Sequence, residues 1–413
     1  MRKVVVTGLG CVSPLGNSVD ETWAALKAGK SGVANITRYD TSPFKVKYLA
    51  EVKGFDPEKY MDITAARKMG EFAKLAVAAA SMALQDADLV DKKEILDTAS
   101  IYLGVGIGGL EITEDSMKTY FASNKKRLPP MTIPQMIPNE GSANIAIKFG
   151  IHGAAHTIAT ACASGSDALG QALDNVRSGR SDVVLAGGTE STVNGFANIG
   201  FTVLQALSTK WVDDPTKASR PFDKNRDGFV MGEGATVLIL EEEEHAKKRG
   251  AKIYAEFAGY GATCDGYHLT APNPDGIIGA RAMTLAMKDA GVKPDEVTYY
   301  NAHGTSTRLN DKGETAMLHI AFGEAAKGLH ISSTKSMHGH CLGNAGALEA
   351  LVCVKAIQEG FIPPTINLDE PDVEGGCDLD YTANKGIEAD VKVAMSGNFG
   401  FGGHNGIVVF KKA

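Results

Sequence analysis

The sequence has few cysteines, and none of them stand in the close pairs typical of a structural zinc site. Its six cysteines are scattered among 413 residues, without a C-x-x-C pair or a disulfide framework. No apolar run approaches the ~18 residues that a bilayer-spanning helix needs. The run at residues 4–6 is interrupted by Thr7 and Gly8, so it predicts a first strand rather than a signal peptide. These absences predict a reduced, cytoplasmic protein without a membrane span.

Basic residues are too few for a dedicated nucleic-acid-binding protein. The 42 Lys and Arg residues are outnumbered by 49 Asp and Glu, giving a net charge of −7. Any contact with an acidic partner must therefore use a local basic patch. Hydrophobic residues make up 44% and charged residues 22% of the chain, which is typical of a globular protein and excludes a disordered one.

Short β-rich runs alternate with helical patterns, an order typical of an α/β fold. The predicted strands span residues 4–7, 100–105, 157–160, 182–186, 252–259, 297–301, 391–396 and 407–410. The predicted helices span residues 64–88, 164–178, 279–290 and 346–358. A charged helix ending at Gly250 favours a division into residues 1–250 and 251–413. A weak similarity between residues 4–10 and 253–259 indicates duplication.

Two motifs imitate ligand-binding loops, but each lacks a required residue. Gly8 and Gly10 suggest a dinucleotide-binding turn, yet the third glycine position holds Ser13. We therefore predict a simple strand-to-loop turn. Residues 223–228 resemble the start of a calcium loop, but the position of the bidentate Glu holds Gly234. That segment is predicted to be a turn stabilised by Asp and Asn side chains.

Cys162 lies where a predicted strand ends and a predicted helix begins. A helix N-terminus favours the thiolate, so this position predicts a thiol pKa below the usual ~8.5. An isolated cysteine is more often a small core residue, and the junction between strand and helix is what favours a nucleophile here.

Two histidines in predicted loops strengthen that interpretation. His303 follows a predicted strand, and His340 precedes a Gly-rich helix start. Strand ends of an α/β sheet gather polar side chains in one crevice, and Cys with two loop histidines is the pattern of thiol acyl transfer. Zinc binding uses the same residue types, but these ligands lack the short spacings of structural zinc sites, so no metal is expected.

Four motifs resemble those of the β-ketoacyl-[acyl-carrier-protein] synthases, in the thiolase-like superfamily, along essentially the whole chain. They are Thr-Ala-Cys at 160–162, His-Gly-Thr-Ser-Thr at 303–307, Lys-Ser-Met with Gly-His at 335–340, and Asn-Phe-Gly-Phe-Gly-Gly-His-Asn at 398–405. Residues 363–368 and 376–380 most resemble the synthase II branch. The resemblance implies an α/β, thiolase-like, five-layered αβαβα fold built from two similar halves, and a homodimer.

The resemblance also implies a decarboxylative Claisen condensation in fatty acid elongation, with no cofactor beyond the phosphopantetheine on the acyl carrier protein. An acyl group passes to Cys162, malonyl-carrier protein decarboxylates, and its carbanion attacks the acyl-cysteine. The products are 3-oxoacyl-carrier protein, carbon dioxide and free carrier protein. N–H groups of His303 and His340 would stabilise the developing oxyanion. Backbone N–H groups of Cys162 and near Phe399 or Gly400 would serve acyl transfer.

Other residues match the family's site one by one. Lys335 and Glu349 correspond to an ion pair that holds the histidine and its helix, although a surface pair is the simpler alternative. Thr305 and Thr307 correspond to hydroxyls that bind the pantetheine arm.

The acyl side of the site is matched in the same way. Ile107 corresponds to an acyl-tunnel position, with Phe201 beside it. Phe399 corresponds to the gate between the acyl pocket and the malonyl side, and Gly400 and Phe401 to substrate-binding positions.

For docking of the acidic carrier protein, the candidates are Arg67 with Lys68 and the cluster at residues 125–127. Arg67 and Lys68 are preferred because they are expected to open a helix in the region that the family uses for docking.

Three residues depart from the family pattern. His338 replaces Thr or Ile, Asn344 replaces Ala, and Gln205 replaces an Arg expected on the docking surface.

Related enzymes and a non-catalytic subunit remain alternative assignments for this sequence. A biosynthetic thiolase would carry a second catalytic cysteine, which residues 400–403 lack. A non-catalytic chain-length factor would normally have lost the nucleophile. Synthase I and a polyketide ketosynthase share the condensing machinery, so sequence does not separate them.

Overall fold

The computed structural model describes residues 2–124 and 126–413, in which 14 strands and 14 α-helices are joined by loops and short 3-10 turns. The strands are β1 (Val4–Val12), β2 (Ala34–Asn35), β3 (Tyr48–Leu49), β4 (Ser100–Gly104), β5 (Ala155–Ile158), β6 (Val183–Glu190), β7 (Gly234–Glu242), β8 (Ala255–Cys264), β9 (Tyr299–Asn301), β10 (His330–Ser332), β11 (Phe361–Ile362), β12 (Ile387–Glu388), β13 (Val393–Gly400) and β14 (His404–Lys411).

The α-helices vary from one turn to four. They are α1 (Val19–Lys27), α2 (Ile63–Ala66), α3 (Glu71–Asp86), α4 (Lys93–Thr98), α5 (Leu110–Ala122), α6 (Thr132–Met136), α7 (Glu140–Phe149), α8 (Ser164–Arg177), α9 (Gly195–Val203), α10 (Glu243–Lys248), α11 (Ile277–Ala290), α12 (Arg308–Phe322), α13 (Lys335–His338) and α14 (Ala345–Glu359). Short 3-10 turns include Ala161–Ala163 and Leu342–Asn344.

Ten strands form a sheet in which two five-stranded halves meet. The first half has the order β5-β4-β6-β7-β1, and the second has β10-β9-β13-β14-β8. If the five strands of each half are numbered in chain order, the order across the sheet is 3-2-4-5-1 in both halves. In both halves the first two pairings of that order are parallel and the last two are antiparallel. The halves join where β1 pairs with β8. The same order and directions occur twice, which confirms the predicted pair of similar halves.

Helices cover the faces of both halves of the sheet and fill the space between those halves. Helix α3 packs on β1, β6 and β7, and helix α11 packs on β8 and β14. Helices α8 and α14 lie between the halves, because each contacts strands of both. The result is the predicted αβαβα order, and the buried Ala, Leu and Val side chains of α8 and α14 fill its centre.

Gly8 and Gly10 do not form the predicted turn, because both lie within β1. A Cβ at Gly8 would stand 2.4 Å from the Ala83 carbonyl oxygen, and one at Gly10 would stand 1.9 Å from that of Ala79. Glycine is therefore required where α3 packs directly on the strand backbone. Close packing, rather than a turn, explains the glycine motif.

The predicted helix over residues 64–88 is interrupted. Helix α2 ends at Ala66 and α3 begins at Glu71, with Gly70 as its extended N-cap. Arg67 is the C-cap of α2, so Arg67 and Lys68 follow a short helix instead of opening a long one. The expectation about their local structure was wrong.

The segment at residues 223–228 is a turn, as predicted. The backbone N–H of Asn225 donates to Asp223 Oδ1 at 2.8 Å. Arg220 Nε donates to the same oxygen at 2.9 Å, so the Asp223 carboxylate is engaged in an internal ion pair. Among the described helices, none has the length and apolar character needed to cross a membrane.

Candidate active site

Cys162 lies in the sharp 3-10 turn Ala161–Ala163, between β5 and α8. Ala161 has φ +52°, a left-handed conformation that costs a non-glycine residue energy and persists only where the surroundings enforce it. The Ser164 hydroxyl donates to the Ala161 carbonyl at 2.6 Å and accepts from the Thr160 N–H at 2.9 Å. These bonds fix the turn that presents the thiol to a cavity.

His340 is the closest functional partner of the thiol. Its Nε2 lies 3.0 Å from Cys162 Sγ. The His340 N–H donates to the Val230 carbonyl at 2.7 Å, and its carbonyl accepts from the Gly232 N–H at 2.9 Å. Phe229 packs edge-on against the imidazole, with ring centroids 5.4 Å apart. Hydrogen bonds to residues 230–232 therefore fix both the backbone N–H and the backbone carbonyl of His340.

His303 is buried and lies 5.2 Å from the His340 ring, centroid to centroid. Its Nδ1 is 3.2 Å from Asn398 Oδ1. The Asn398 amide nitrogen donates to Glu349 Oε2 at 2.9 Å and to Ser166 Oγ at 3.2 Å. A carboxylate only accepts, so the Asn398 oxygen must face His303. His303 therefore carries its proton on Nδ1, and its Nε2 is an acceptor rather than the expected donor.

Lys335 and Glu349 form a buried ion pair, with side chains 1% and 0% exposed. This excludes the surface pair that was the simpler alternative. The pair connects α13, which precedes His340, to the central helix α14. Through Asn398 it also reaches His303. Removal of either partner would leave a buried charge uncompensated.

Burial controls the ionisation of the site. It raises the pKa of the Cys162 thiol to about 12, against the opposing effects of Lys335 and the Phe401 N–H. Burial, followed by the Lys335 charge, holds the pKa of His303 and of His340 well below the usual range. The resting site is a neutral thiol beside neutral imidazoles. The expected lowering of the thiol pKa was wrong, because desolvation outweighs the helix N-terminus.

The thiol and both histidines line a cavity of about 1030 Å³. Its wall includes the predicted Ile107, Phe201, Thr305 and Thr307. The two threonine hydroxyls are 2.9 Å apart. Three exposed basic side chains that sequence reasoning missed also line it, namely Lys45, Lys210 and Arg308.

Phe399 and Phe401 occupy different settings. Phe399 is 9% exposed, lies within β13 opposite Asn405, and packs edge-on to His303 at 5.8 Å. Phe401 lies in the turn after β13, followed by Gly402 and Gly403 at φ +87° and +79°. Phe399 is thus a wall of the site within a paired strand, a setting that favours Phe401 over Phe399 for the expected gate role.

Gly400 packs against the backbone of the nucleophile. A Cβ there would lie 2.7 Å from the Thr160 carbonyl oxygen and 3.1 Å from the Cys162 nitrogen. The N–H of Phe401 makes a hydrogen bond to the thiol. The N–H groups of Cys162 and Phe401 are therefore both near the reacting sulfur.

A metal ion is chemically conceivable at this position. One donor atom each from Cys162, His303 and His340 lie within 4.8 Å of one another. Zinc would bind the thiolate and the imidazole nitrogens that acyl transfer needs, so these three residues cannot bind zinc and catalyse acyl transfer at the same time.

Sequence reasoning assigned no role to two further residues that position the site. Asn398 belongs to the motif at residues 398–405, and that motif is its only sequence signal. Glu314 accepts from the N–H groups of His303 and Gly304, each at 2.8 Å, and from the Tyr300 hydroxyl at 3.0 Å. A single acid in a helix has no distinctive sequence signal, so spacing could not have identified it.

The three residues that depart from the family pattern differ in whether they line the cavity. His338 is buried outside the cavity, with Nδ1–H donating to the Gly339 carbonyl at 2.8 Å and Nε2 accepting from the Thr334 hydroxyl at 3.0 Å. Burial lowers the pKa of His338 to about 3, so it stays neutral. Asn344 is also buried, and its amide has no partner among the described residues. Gln205 is exposed at the cavity.

The described basic residues predicted for docking are exposed but lie outside the cavity lining. Arg67 and Lys68 are both exposed. In the second cluster, Lys125 lies outside the described residues, while Lys126 stands over the Tyr120 ring at 4.7 Å from its centroid.

Comparison with known proteins agrees with this geometry. Residues 1–246 match the model of the beta-ketoacyl synthase N-terminal domain, and residues 254–369 match that of the C-terminal domain. A 3-oxoacyl-[acyl-carrier-protein] synthase 2 from Synechocystis is 47% identical over 411 residues, covering 100% of this chain and 98% of the relative. One from Staphylococcus aureus is 44% identical with the same coverage.

Solved structures give the same result. A beta-ketoacyl synthase from Burkholderia phymatum has a TM-score of 0.93 at 38% identity, covering 100% of both chains. A type II polyketide ketosynthase, solved with its acyl-carrier protein and bound to a hexaketide, has a TM-score of 0.91 at 35% identity, covering 100% of this chain and 99% of that one. With matching domains in both halves and relatives along its full length, the chain belongs to the β-ketoacyl synthase family of condensing acyltransferases.

Proposed function

We propose that the chain is a type II 3-oxoacyl-[acyl-carrier-protein] synthase of fatty acid elongation. The observation that carries this proposal is the Cys162 thiol, 3.0 Å from His340 Nε2, on the wall of a cavity of about 1030 Å³. The curated relatives at 44–47% identity carry the name of that enzyme, which favours it over other condensing enzymes.

The first half-reaction transfers the acyl group from the carrier protein's phosphopantetheine to Cys162. The Cys162 S–H gives its proton to His340 Nε2 as the sulfur attacks the thioester carbonyl. The N–H groups of Cys162 and Phe401 stabilise the oxyanion of the tetrahedral intermediate. The carrier thiol leaves with the proton returned by His340. The chain needs no cofactor of its own for this step, and no metal.

The second half-reaction begins with malonyl-carrier protein. Loss of carbon dioxide leaves an enolate oxygen, which needs an N–H donor. His340 can supply it, because the acylated Cys162 no longer has a proton to give to Nε2. The ring proton can then reside on Nε2, since Nδ1 has no partner among the described residues. His303, with its proton on Nδ1, presents Nε2 as an acceptor that can hold a water molecule beside the malonyl group. The carbanion then attacks the acyl-cysteine carbonyl and the C–S bond to Cys162 breaks, giving the 3-oxoacyl-carrier protein. The departing Cys162 sulfur takes up a proton from solvent through His340, which restores the free thiol.

Phe401 is the better candidate for the gate between the acyl and malonyl sides. It lies in a turn flanked by glycines, and its N–H bonds to the thiol. Phe399 then provides the fixed surface behind His303. Thr305 and Thr307 are proposed to bind the pantetheine arm, as the family resemblance implies, since both hydroxyls lie in the same cavity.

An acidic carrier protein is the proposed partner, and basic side chains near the cavity should attract it. We expect Lys210→Glu with Arg308→Glu to raise the carrier-protein KM about tenfold and to flatten its salt dependence, because rim charges act on association. Arg67→Glu with Lys68→Glu should have a smaller effect of the same kind. Steady-state kinetics at two ionic strengths measure both. The turnover of a short pantetheine thioester serves as the control, and an equal loss with that substrate would contradict a docking role.

A homodimer is the proposed assembly. Helices α5 and α9 pack together and expose large apolar side chains, with Phe121 72%, Phe196 59% and Val203 70% exposed. The edge strand β5 ends the first half of the sheet with its outer edge free of strand partners among the described residues. An apolar face of this kind marks an interaction surface. Sedimentation should give a dimer that Phe196→Asp with Val203→Asp dissociates, while the control Ile320→Asp on α12 should not. A monomeric wild type would contradict this assembly.

A cytoplasmic location is also proposed. All six cysteines are free thiols, and cytosolic reductants maintain that state.

A polyketide ketosynthase is the second candidate. It is favoured by the likeness to the type II polyketide ketosynthase described above. Acyl- and malonyl-carrier protein should be supplied together across acyl chain lengths, with carbon dioxide and 3-oxoacyl product followed. Single condensations with saturated acyl chains support elongation, and repeated unreduced condensations support the polyketide reading. No product with any acyl group would overturn both.

A further inference from the structure

Glu190 is a buried carboxylate to which the reaction described above assigns no role. It is the last residue of β6, and its side chain is 0% exposed. Backbone N–H groups, rather than a lysine or arginine, provide its hydrogen bonds. Burial raises the pKa of Glu190 to about 7, against the opposing effect of these N–H groups. A carboxylate kept in such a position must contribute something that an apolar side chain would not.

Its two oxygens collect four N–H groups from two loops. Oε2 accepts from Gly106 at 2.8 Å, from Ile107 at 3.1 Å and from Gly343 at 3.2 Å. Oε1 accepts from Gly108 at 2.9 Å and from Ile107 at 3.2 Å. Hydrogen bonds to an ionised acceptor are shorter and stronger than neutral ones. The carboxylate is therefore a cross-link between the loop at residues 106–108 and the turn at residues 342–344.

The glycines on both sides are needed for this contact. A Cβ at Gly106 would lie 2.5 Å from Glu190 Oε2, and one at Gly343 would lie 2.9 Å from the same oxygen. That Gly343 Cβ would also lie 2.3 Å from the Gly106 nitrogen. The two loops, one from each half of the molecule, thus touch each other over the carboxylate.

Each of these loops contributes a side chain to the cavity wall. Ile107 comes from the first loop, and Leu342 from the turn that follows His340. Leu342 has φ +46°, a conformation that an unsupported loop would tend to leave. The backbone of His340 itself is held by Val230 and Gly232, which do not depend on Glu190. Loss of the cross-link should therefore disturb the acyl wall more than the histidine.

We propose that Glu190 is a positioning residue that fixes the acyl wall of the cavity and so determines which acyl chains the site accepts. This inference rests on the proposed function, because it assigns Ile107 and Leu342 to the acyl side. Glutamine has almost the same size, but its amide offers one acceptor oxygen and turns an NH₂ group toward N–H donors. Glu190→Gln should therefore release the loops without creating a cavity.

The test compares wild type with Glu190→Gln across acyl-carrier proteins of different chain length, at pH 8 so that the carboxylate is ionised. We expect the acyl-carrier KM to rise about tenfold for at least one chain length, the effect of a misfitted hydrophobic pocket, so that the preferred length shifts. Malonyl decarboxylation should stay within about twofold of wild type, since His340 is held independently. Glu241→Gln is the matched control, because Glu241 on β7 is equally buried but accepts from Thr7 and Arg249, all outside the cavity lining.

Hydrogen exchange gives a readout that does not depend on the reaction. Residues 105–108 and 342–344 should exchange faster in Glu190→Gln, and residues 229–232 should not. If that variant does not fold, Gly106→Ala places a methyl group against the carboxylate and should give the same pattern. An unchanged length preference and unchanged exchange would overturn the inference. A wild type that condenses no acyl chain would overturn the proposed function instead, and the exchange data would still decide the cross-link.

Discussion

Replacing Cys162 with alanine should lower condensation by about 10⁴-fold or more, the usual scale for removing a covalent nucleophile. The reason is that no other thiol in the described residues lies beside both histidines. The release of 3-oxoacyl product measures the loss of condensation. Intact-protein mass spectrometry shows whether the acyl-enzyme still forms. Cys264→Ala is the control, because Cys264 is exposed and lies outside the cavity lining, so its removal should leave condensation near the wild-type rate.

The same thiol should show an alkaline labelling profile. The thiolate is the reactive form, and burial raises the thiol pKa to about 12, so the thiolate fraction grows as pH rises toward that value. Iodoacetamide labelling of Cys162 should therefore quicken about tenfold per pH unit between pH 7 and 10. The measurement is made in Cys264→Ala, since that exposed thiol would otherwise react as well. A plateau near pH 8, or activity lost through labelling of Cys11, would contradict the assignment.

The two histidines should separate the half-reactions. His303→Ala should leave acyl-Cys162 formation nearly intact, because His303 makes no hydrogen bond to the thiol. Malonyl decarboxylation should fall about 10²-fold or more, because the acceptor that holds a water molecule beside the malonyl group is lost. His340→Ala should lower both, because His340 is the base for the thiol and the donor to the enolate, each worth about 10²–10⁴-fold. Acylation is followed by mass spectrometry, and decarboxylation by release of labelled carbon dioxide.

His338→Thr is the control for this pair. His338 is a buried neutral imidazole close in sequence to His340, but it bonds only to Gly339 and Thr334. Its replacement should leave both half-reactions within about twofold of wild type. Equal effects of His303→Ala and His340→Ala on acylation would show that the proton does not pass to His340 alone.

Much of the site could be predicted from sequence because it lies in short, ordered motifs. Cys162, His303 and His340 each stand beside a strand end or helix start, and the fold brings these ends into one crevice. The halves were also predictable, since strands and helices alternate in the same order in each. The αβαβα layers followed from the family resemblance rather than from periodicity.

The errors came from properties that only packing decides. The pKa of Cys162 depends on how deeply the turn is buried, and the helix N-terminus alone gives the wrong direction. The tautomer of His303 depends on Asn398 and Glu349, which are distant in sequence. Phe399 and Phe401 occupy equivalent places in a Gly-rich motif, and strand pairing alone distinguishes them. Glu190 and Glu314 gave no signal, because a single acid has no pattern until the backbone N–H groups around it are known.

The central claim is that one thiol carries the acyl group through condensation. The most direct measurement mixes the protein with acyl-carrier protein, isolates the acylated enzyme, and then adds malonyl-carrier protein labelled in its free carboxyl. We predict that the acyl mass maps to the peptide containing Cys162, and that it disappears with release of one labelled carbon dioxide per 3-oxoacyl product. An acyl group on another residue, or product formed while Cys162 stays free of acyl throughout, would contradict the account.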